Sequence, residues 1–283
     1  MKKILYLECN MGAAGDMLMG ALADLLPDRK AFADRMNGLG IPGVQVEFCT
    51  DVKCGITGTH ANVTVKGKEE ESLEVPVNGA ACHSHPHSHP HTHLHEHEEH
   101  IHADGHKHSH EHHGLTETEA VIQQLKVPDH VKEDVRKIYR ILAEAESRVH
   151  GRPVSEIHFH EVGTMDALAD ITGCALLIRE LNPDIIVTSP IHVGYGQVRC
   201  AHGVLPVPAP ATAKILEGMP CYAGNVEGEL CTPTGAAILK YYSSRFGYLP
   251  KMVIQSSGYG MGKKDFPIAN CVRAILGETE EYK

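Results

Sequence analysis

A short segment at residues 156–170, EIHFHEVGTMDALAD, carries two histidines close to several carboxylates. In an extended segment the side chains alternate, so His158 and His160 lie on one face while Phe159 points to the other. Two imidazoles on one face can chelate a single ion. The pattern therefore predicts a catalytic or metal-binding site that begins with His158 and His160.

Acidic side chains follow these two histidines. Glu161 stands at the predicted strand end, and a helix beginning near Thr164 would place Asp166 and Asp170 one turn apart on one face. Negative charge is favoured at a helix start. The simpler alternative is that Thr164 and Asp166 cap the helix, that Asp170 is solvated, and that the histidines bind backbone groups. On the functional interpretation, the candidate catalytic residues are His158, His160, Glu161 and Asp166, and the candidate metal ligands are these four with Asp170.

Fifteen of the 22 histidines lie in a tract at residues 83–113. Imidazole suits nickel, zinc, copper and cobalt, and a flexible chain lets several rings converge on one ion. Such a tract cannot hold a fixed coordination geometry or its supporting shell. It therefore predicts a metal reservoir or delivery arm, and the alternative is a spacer or a pH-sensitive linker.

Two glycine-rich segments are candidates for binding an anionic ligand. The first, NMGAAGDM, lies where a strand passes into a helix, so backbone N–H groups there can face a phosphate or carboxylate. The second, SPIHVGYGQVRCAHGVLPVPAPAT, is a loop of the kind that carries binding groups on a rigid scaffold. The alternatives are a structural turn and a structural crossover. The candidate binding residues are Gly12, Gly15, Asp16, Arg199 and His202, with His202 also a candidate metal ligand. A third glycine-rich segment, GYGMGKKD, offers Lys263 and Lys264 to an anion.

The elements that position these residues follow from hydrophobic patterning. For residues 1–66, this patterning predicts a small mixed sheet with helices on one side. The predicted elements are a strand at 3–9, a helix over 17–25, a second helix to about Met36, and an antiparallel strand pair at 43–52 and 56–67. Residues 67–114 are too polar to offset their ordering entropy, which predicts a disordered His-rich insertion.

Residues 115–283 predict a second α/β part. It contains helices over 128–149, 164–181 and 234–246, the last capped by Thr232, a further helix after PVPAPA, and strands over 184–190, 251–260 and 270–276. The expected fold class is α/β or α+β, a mixed sheet with flanking helices interrupted by the insertion. Whether this part shares one core with residues 1–66 is left open.

Charge and cysteine usage exclude several functions. A net charge of −10 without dense Lys or Arg runs argues against a nucleic-acid partner. The apolar stretch at 4–7 is too short for a signal or membrane segment. Nine cysteines without a C-x-x-C pair predict reduced thiols. We expect a cytoplasmic protein, and the sequence leaves its oligomeric state open.

Five motifs, in order, resemble the LarC family of nickel-insertion proteins: GAAGDM, HFHEVGTMDALADITG, HGVLPVPAPAT, ELCTPTGAAIL and GYGMGKKDFPIAN. The resemblance implies insertion of Ni²⁺ into pyridinium-3,5-bisthiocarboxylic acid mononucleotide to make the nickel-pincer cofactor of lactate racemase. It also implies that CTP is consumed with Mg²⁺ or Mn²⁺, giving CMP and pyrophosphate, so the protein would be an enzyme of the lyase class, a cyclometallase.

Members of that family typically continue into a C-terminal domain that binds the CTP. The present sequence ends at Lys283 and resembles the N-terminal part alone, so we expect a separate C-terminal partner domain to carry the CTP site. Two alternatives remain open from the residues: a nickel storage or delivery chaperone without catalysis of its own, and a hydrolase in which the His and Asp cluster holds a water-activating ion.

Overall fold

The structure, a computed structural model, describes residues 1–69, 115–157, 165–200 and 203–281. The predicted disordered insertion lies outside these residues except for 67–69, which form a turn and a two-residue strand. No helix in the described ranges is long and apolar enough to cross a membrane.

Helices and strands alternate along the described chain. The helices are α1 Gly15–Ala23, α2 Arg29–Asn37, α3 Leu115–Gln124, α4 Asp129–His150, α5 Met165–Leu181, α6 Pro210–Ile215 and α7 Pro233–Tyr242. The longer strands are β1 Lys2–Glu8, β2 Val44–Lys53, β3 Ile56–Val65, β5 Ile185–Thr188, β13 Val253–Met261 and β14 Cys271–Thr279. The shorter ones are β4 Lys68–Glu69, β6 Ile191–His192, β7 Gly194–Tyr195, β8 Gln197–Cys200, β9 Gly203–Pro206, β10 Cys221–Tyr222, β11 Gly228–Glu229 and β12 Arg245–Phe246.

One eight-stranded mixed sheet joins both ends of the chain. Its order is β12-β5-β1-β14-β13-β3-β2, with β4 added beside β3. β1 is parallel to β5 and antiparallel to β14, β13 is antiparallel to β14, and β3 is parallel to β13. β1 and β13 therefore run in the same direction and end at the same edge. The expected class, a mixed sheet with flanking helices, is confirmed.

The two faces of β1 lie in different cores because its side chains alternate. Leu5 and Leu7 belong to the large core that includes the helices, whereas Ile4 and Tyr6 pack in a smaller cluster on the opposite face. Glycine lets α1 lie directly on the sheet: a Cβ at Gly260 would stand 1.8 Å from the carbonyl oxygen of Met17. This close packing places the start of α1 beside the end of β13.

One predicted helix ends earlier than expected. The prediction continued the last helix to residue 246, but α7 ends at Tyr242 and Arg245–Phe246 form β12 beside β5. The N–H groups of Ser244 and Gly247 donate to carbonyls of β5 and its end, so sheet pairing replaces the helical hydrogen bonds there. The predicted Thr232 cap is confirmed, since its hydroxyl accepts from the N–H of Gly235 at 3.2 Å.

Candidate functional site

The candidate site lies where the ends of β1 and β13 meet the starts of α1 and α5. Ligand sites in open α/β sheets lie at the carboxyl ends of the strands. Helix starts at that edge add partial positive charge. Residues 158–164, which precede α5 in the sequence, lie outside the described residues.

Three aspartates from two helices gather at this edge. Gly15, the first residue of α1, contacts Asp170 so closely that a Cβ at residue 15 would stand 2.4 Å from Asp170 Oδ2. The backbone N–H of Asp16 donates to the Asp170 carboxylate, and Asp166 lies one turn earlier on α5. Ala14, the residue that precedes α1, provides no side-chain cap, so Asp170 supplies the negative charge at the helix start.

Burial and mutual repulsion raise the pKa values of these acids. Desolvation raises the pKa of Asp170 well above its ordinary value, and the charges of Asp16 and Asp166 raise it further, against a smaller opposing effect of Lys263. Desolvation also raises the pKa of Asp16, opposed by Lys263 and by hydrogen bonding to Met17. A cation bound at this point would offset the repulsion between the acids.

Two unpartnered oxygen atoms mark the centre of the cluster. Oδ1 of Asp166 and Oδ1 of Asp170 are both shielded from solvent, and neither has a hydrogen-bond partner among the described residues. Buried carboxylate oxygens without a donor are costly, so each indicates a missing partner. Within the described ranges, however, no three His, Cys, Asp or Glu side chains are arranged to hold a metal ion by themselves. Further donors must come from elsewhere.

Neutral groups surround the acids on the helix side. Burial, followed by the charges of Asp166 and Asp170, raises the pKa of Tyr139 on α4 well above its usual value. Burial, followed by the charges of Asp170 and Asp16, raises the pKa of Cys174 in the same direction. The Cys174 thiol donates to the carbonyl of Gly15 at 3.8 Å. Both groups therefore stay protonated at neutral pH and add no negative charge.

Two basic side chains partly offset the charge of the acids. Lys263 follows β13, and its charge lowers the pKa values of both Asp16 and Asp170. The charge of His60 on β3 also lowers the pKa of Asp16. His60 Nδ1 lies 2.9 Å from the carbonyl oxygen of Met261 at the end of β13.

The predicted site residues fall into two groups. The structure brings Asp16, Asp166 and Asp170 together, although they are far apart in the chain. The remaining predicted metal ligands, His158, His160, Glu161 and His202, lie outside the described residues. Their roles stay predictions.

The other predicted binding residues occupy distinct surroundings. The N–H of Gly12 donates to the carbonyl of Cys9, and the N–H of Ala13 donates to Leu230, so neither is free for a phosphate. A Cβ at Gly12 would stand 1.9 Å from the Leu230 carbonyl oxygen, which explains the glycine by close backbone approach. Arg199 is exposed on β8, which pairs with β9, and residues 201–202 lie outside the described residues.

The sequence prediction did not consider His60, whose charge lowers the pKa of Asp16. It is the one histidine in the strand ITGTHANVTV, and a single histidine in a strand is ordinarily structural. Thr59 faces the helices, where its hydroxyl donates to Asp24. Because side chains alternate along a strand, His60 faces the other side of the sheet, where its ring contacts the carbonyl of Met261.

Comparison with known proteins identifies the class of protein to which this fold and site belong. Residues 5–283 match the family model described as nickel insertion protein, and the chain belongs to that family. The resemblance inferred from the five motifs is therefore confirmed. No solved structure matches significantly.

Particular relatives are named pyridinium-3,5-bisthiocarboxylic acid mononucleotide nickel insertion protein. One from Clostridium acetobutylicum is 43% identical over 282 residues, covering 99% of this chain and 65% of the relative. One from Desulfitobacterium hafniense is 38% identical over 279 residues, covering 99% and 59%. One from Geobacillus kaustophilus is 37% identical over 277 residues, covering 98% and 60%. The chain thus spans about three fifths of the length of these relatives.

Proposed function

We propose that this chain inserts nickel into pyridinium-3,5-bisthiocarboxylic acid mononucleotide, in the route to the nickel-pincer cofactor of lactate racemase. Family membership and the names of the relatives support this function over the hydrolase alternative. The observation that carries the proposal is the group of three repelling aspartates, two of which have unpartnered oxygens and lie on α5, the helix that follows the HFHE segment in the sequence. A divalent cation at that point would offset the repulsion and satisfy the oxygens.

Nickel is a substrate in this proposal, so its protein site has to release it. Imidazole and carboxylate are moderate ligands for Ni²⁺, whereas sulfur anions compete effectively for it. The tract at 83–113 gathers Ni²⁺, and His158 and His160, with Glu161 or Asp166, position the ion. The thiocarboxylate sulfurs of the nucleotide then take it over. A site with few protein donors in its described part suits such a transfer.

The nucleotide is anionic and needs positive or N–H-rich surroundings. Lys263 stands beside the acidic cluster and can pair with a thiocarboxylate or phosphate once nickel neutralises the aspartates. Arg199 and His202 are further candidates for this contact, since Arg199 is exposed and His202 follows it by three positions in the sequence. We assign no nucleotide contact to the N–H groups of Gly12 and Ala13, which are already bonded.

CTP consumption with Mg²⁺ or Mn²⁺ belongs to the same proposal, as does the lyase class. The relatives are longer than this chain, and we propose that a C-terminal domain binds the CTP. We place no CTP ligand on the described residues. The proposed compartment is the cytoplasm.

The central test measures nickel incorporation into the dithiolated nucleotide by this chain, with CTP and a separately supplied C-terminal domain from a relative. We expect His158→Ala and His160→Ala each to lower the insertion rate at least about tenfold, because few neighbouring donors can replace either ring. His130→Ala, an exposed histidine on α4, is the matched control. Insertion at the wild-type rate in both variants would contradict the assigned role of the two histidines.

The His-rich tract favours a second candidate function, nickel storage or delivery without catalysis. Replacing its fifteen histidines with serine in the full-length chain separates the two functions. For an insertion protein, bound nickel per chain should fall steeply while the insertion rate at saturating nickel stays within about twofold of wild type, since a transition-metal site needs fixed geometry rather than many rings. Loss of insertion at every nickel concentration would instead identify a delivery chaperone.

A further inference from the structure

We infer that His192 is a positioning residue, which donates hydrogen bonds from both ring nitrogens and so holds together two loops beside the candidate site. One of these loops is the segment 9–14, which joins β1 to α1, the helix that carries Asp16. The inference rests on the proposed function, because it concerns the loops around the proposed nucleotide site. Two observations carry it: the pair of carbonyl groups that the ring contacts, and the loops to which those carbonyls belong.

Both nitrogens of the His192 ring face backbone carbonyls. Nδ1 lies 2.8 Å from the carbonyl oxygen of Asn10, and Nε2 lies 2.9 Å from that of Ala223. A carbonyl oxygen can only accept, so each nitrogen must carry a proton to form its hydrogen bond. A neutral ring has one proton and would direct the lone pair of the other nitrogen at an oxygen. The geometry is therefore that of an imidazolium cation, whose charge strengthens both hydrogen bonds.

The surroundings of the ring suit a buried cation. His192 is 3% exposed, and its ring stacks on that of Tyr222 with centroids 4.8 Å apart and planes 11° apart. A cation over an aromatic face is attracted by the ring electrons. Burial raises the pKa values of Tyr222 and the Cys9 thiol, with a smaller effect of the Glu8 charge, so both groups stay protonated at neutral pH. In the described structure the ring bonds to carbonyls and to no carboxylate.

The two carbonyls belong to different loops. One lies in the segment before α1, and the other follows β10. The backbone N–H of His192 also donates to the carbonyl of Cys9 at 3.1 Å. A Cβ at Gly224, whose φ is +63°, would stand 2.0 Å from Nε2, so glycine lets the second loop approach the ring. One buried ring thus connects strand β6 to the loops that precede α1 and follow β10.

Apolar packing extends this connection toward the residues proposed to bind the nucleotide. The neighbour of Asn10 belongs to a small cluster formed by Met11, Val226 and Leu230, with Phe266 packed against it. Phe266 lies in the loop between β13 and β14 that also carries Lys263. We therefore expect His192 to act on nucleotide affinity through these loops, without touching the nucleotide itself.

The first test measures the protonation of the ring in the wild-type, full-length chain. Long-range ¹H–¹⁵N NMR of ¹⁵N-histidine-labelled protein, with signals assigned by His192→Gln, should show a proton on both His192 nitrogens at a pH of about 7.5. An unperturbed histidine is mostly neutral at that pH. The measurement needs neither nickel nor nucleotide. A His192 ring with one unprotonated nitrogen under these conditions would overturn the inference.

The second test is kinetic and uses the insertion assay with CTP and the C-terminal domain from a relative. His192→Gln retains one donor and should raise the nucleotide KM at least about tenfold with a smaller change in kcat, because it leaves one buried carbonyl without its donor. The wild-type KM should rise as increasing pH removes the second proton, whereas the KM of the variant should not follow pH in this way. His130→Gln, at an exposed position on α4, is the matched control and should leave KM unchanged.

Hydrogen exchange reports on the loops without an activity assay. The amides of Gly12 and Val193, which donate to the carbonyls of Cys9 and Tyr222, should exchange at least about tenfold faster in His192→Gln. Unchanged exchange and unchanged KM in this variant would contradict the positioning role. If the variant does not fold, the pH dependence of the wild-type KM decides. If NMR and exchange agree with the inference but the wild-type chain inserts no nickel, the role of His192 in holding the loops stands and the proposed function fails.

Discussion

Replacing Asp170 with Asn should lower nickel insertion by about 100-fold or more while making the unliganded chain more stable at neutral pH. The loss is expected because Asp170 carries one of the two unpartnered oxygens and contacts Gly15, the first residue of α1. Even outer-shell partners of a metal site contribute about 10–100-fold, so a direct ligand should contribute at least as much. Asn keeps the shape and can still accept from the Asp16 N–H.

The gain in stability follows from the direction of the pKa shift. Burial, together with the charges of Asp16 and Asp166, raises the folded-state pKa of Asp170 above its unfolded value. The folded chain therefore binds more protons than the unfolded chain, so stability falls as pH rises from about 4, the ordinary pKa of Asp, toward the folded-state pKa. Each unit of difference costs about 1.4 kcal/mol once the carboxyl ionises. Asp170→Asn removes this cost.

The measurement is the free energy of unfolding from pH 4 to pH 8, without nickel, for the wild type and Asp170→Asn. We expect the two curves to be close at pH 4 and to separate with rising pH, with the variant above the wild type. Asp34→Asn is the control, since Asp34 is exposed and paired only with Lys30 at i,i+4 in the described structure. If the variant were less stable than the wild type at pH 8, the role of Asp170 would be to stabilise the fold and not to bind a substrate, which would contradict the prediction.

Asp134→Ala should have the largest effect on stability, lowering the free energy of unfolding by about 3 kcal/mol. Asp134 on α4 is only 2% exposed and accepts two hydrogen bonds from Arg179 at 2.7 and 2.8 Å. The hydroxyls of Tyr241 and Tyr242 also donate to it, at 2.7 and 3.1 Å. The carboxylate thus joins α4, α5 and α7, and its removal leaves four donor groups on three side chains without their acceptor.

The size of that effect is limited by solvent. Removing one partner of a buried ion pair costs about 3–5 kcal/mol, and we expect the lower end because the Arg179 side chain is 48% exposed and can be rehydrated. The melting temperature should fall by roughly 5–10 °C. Glu133→Ala is the matched control on the same helix, because Glu133 is exposed and pairs with Lys137 one turn away. Equal melting temperatures for the two variants would contradict a structural role of the Asp134 network.

The extent of successful prediction differs between the fold and the site. Periodicity located the strand pair β2 and β3, the long helix α4 and the helix α5 because each buries one regular face. It failed at residues 245–246, where pairing with β5 replaced a continued helical pattern. Helix propensity depends on residues that are close together in the chain. Pairing with β5 depends on a strand that is distant in the chain, so local patterning does not reveal it.

The sequence by itself determined the chemistry available to this protein: a histidine tract, the HFHE segment, acids at helical spacing on α5, and five motifs that define the family. Only the tertiary structure decided which residues meet. Asp16 joins Asp170 because Gly15 allows α1 to approach α5. Residue types follow from the chain alone, but the distance between residues separated by more than 100 positions depends on how the sheet orders its strands.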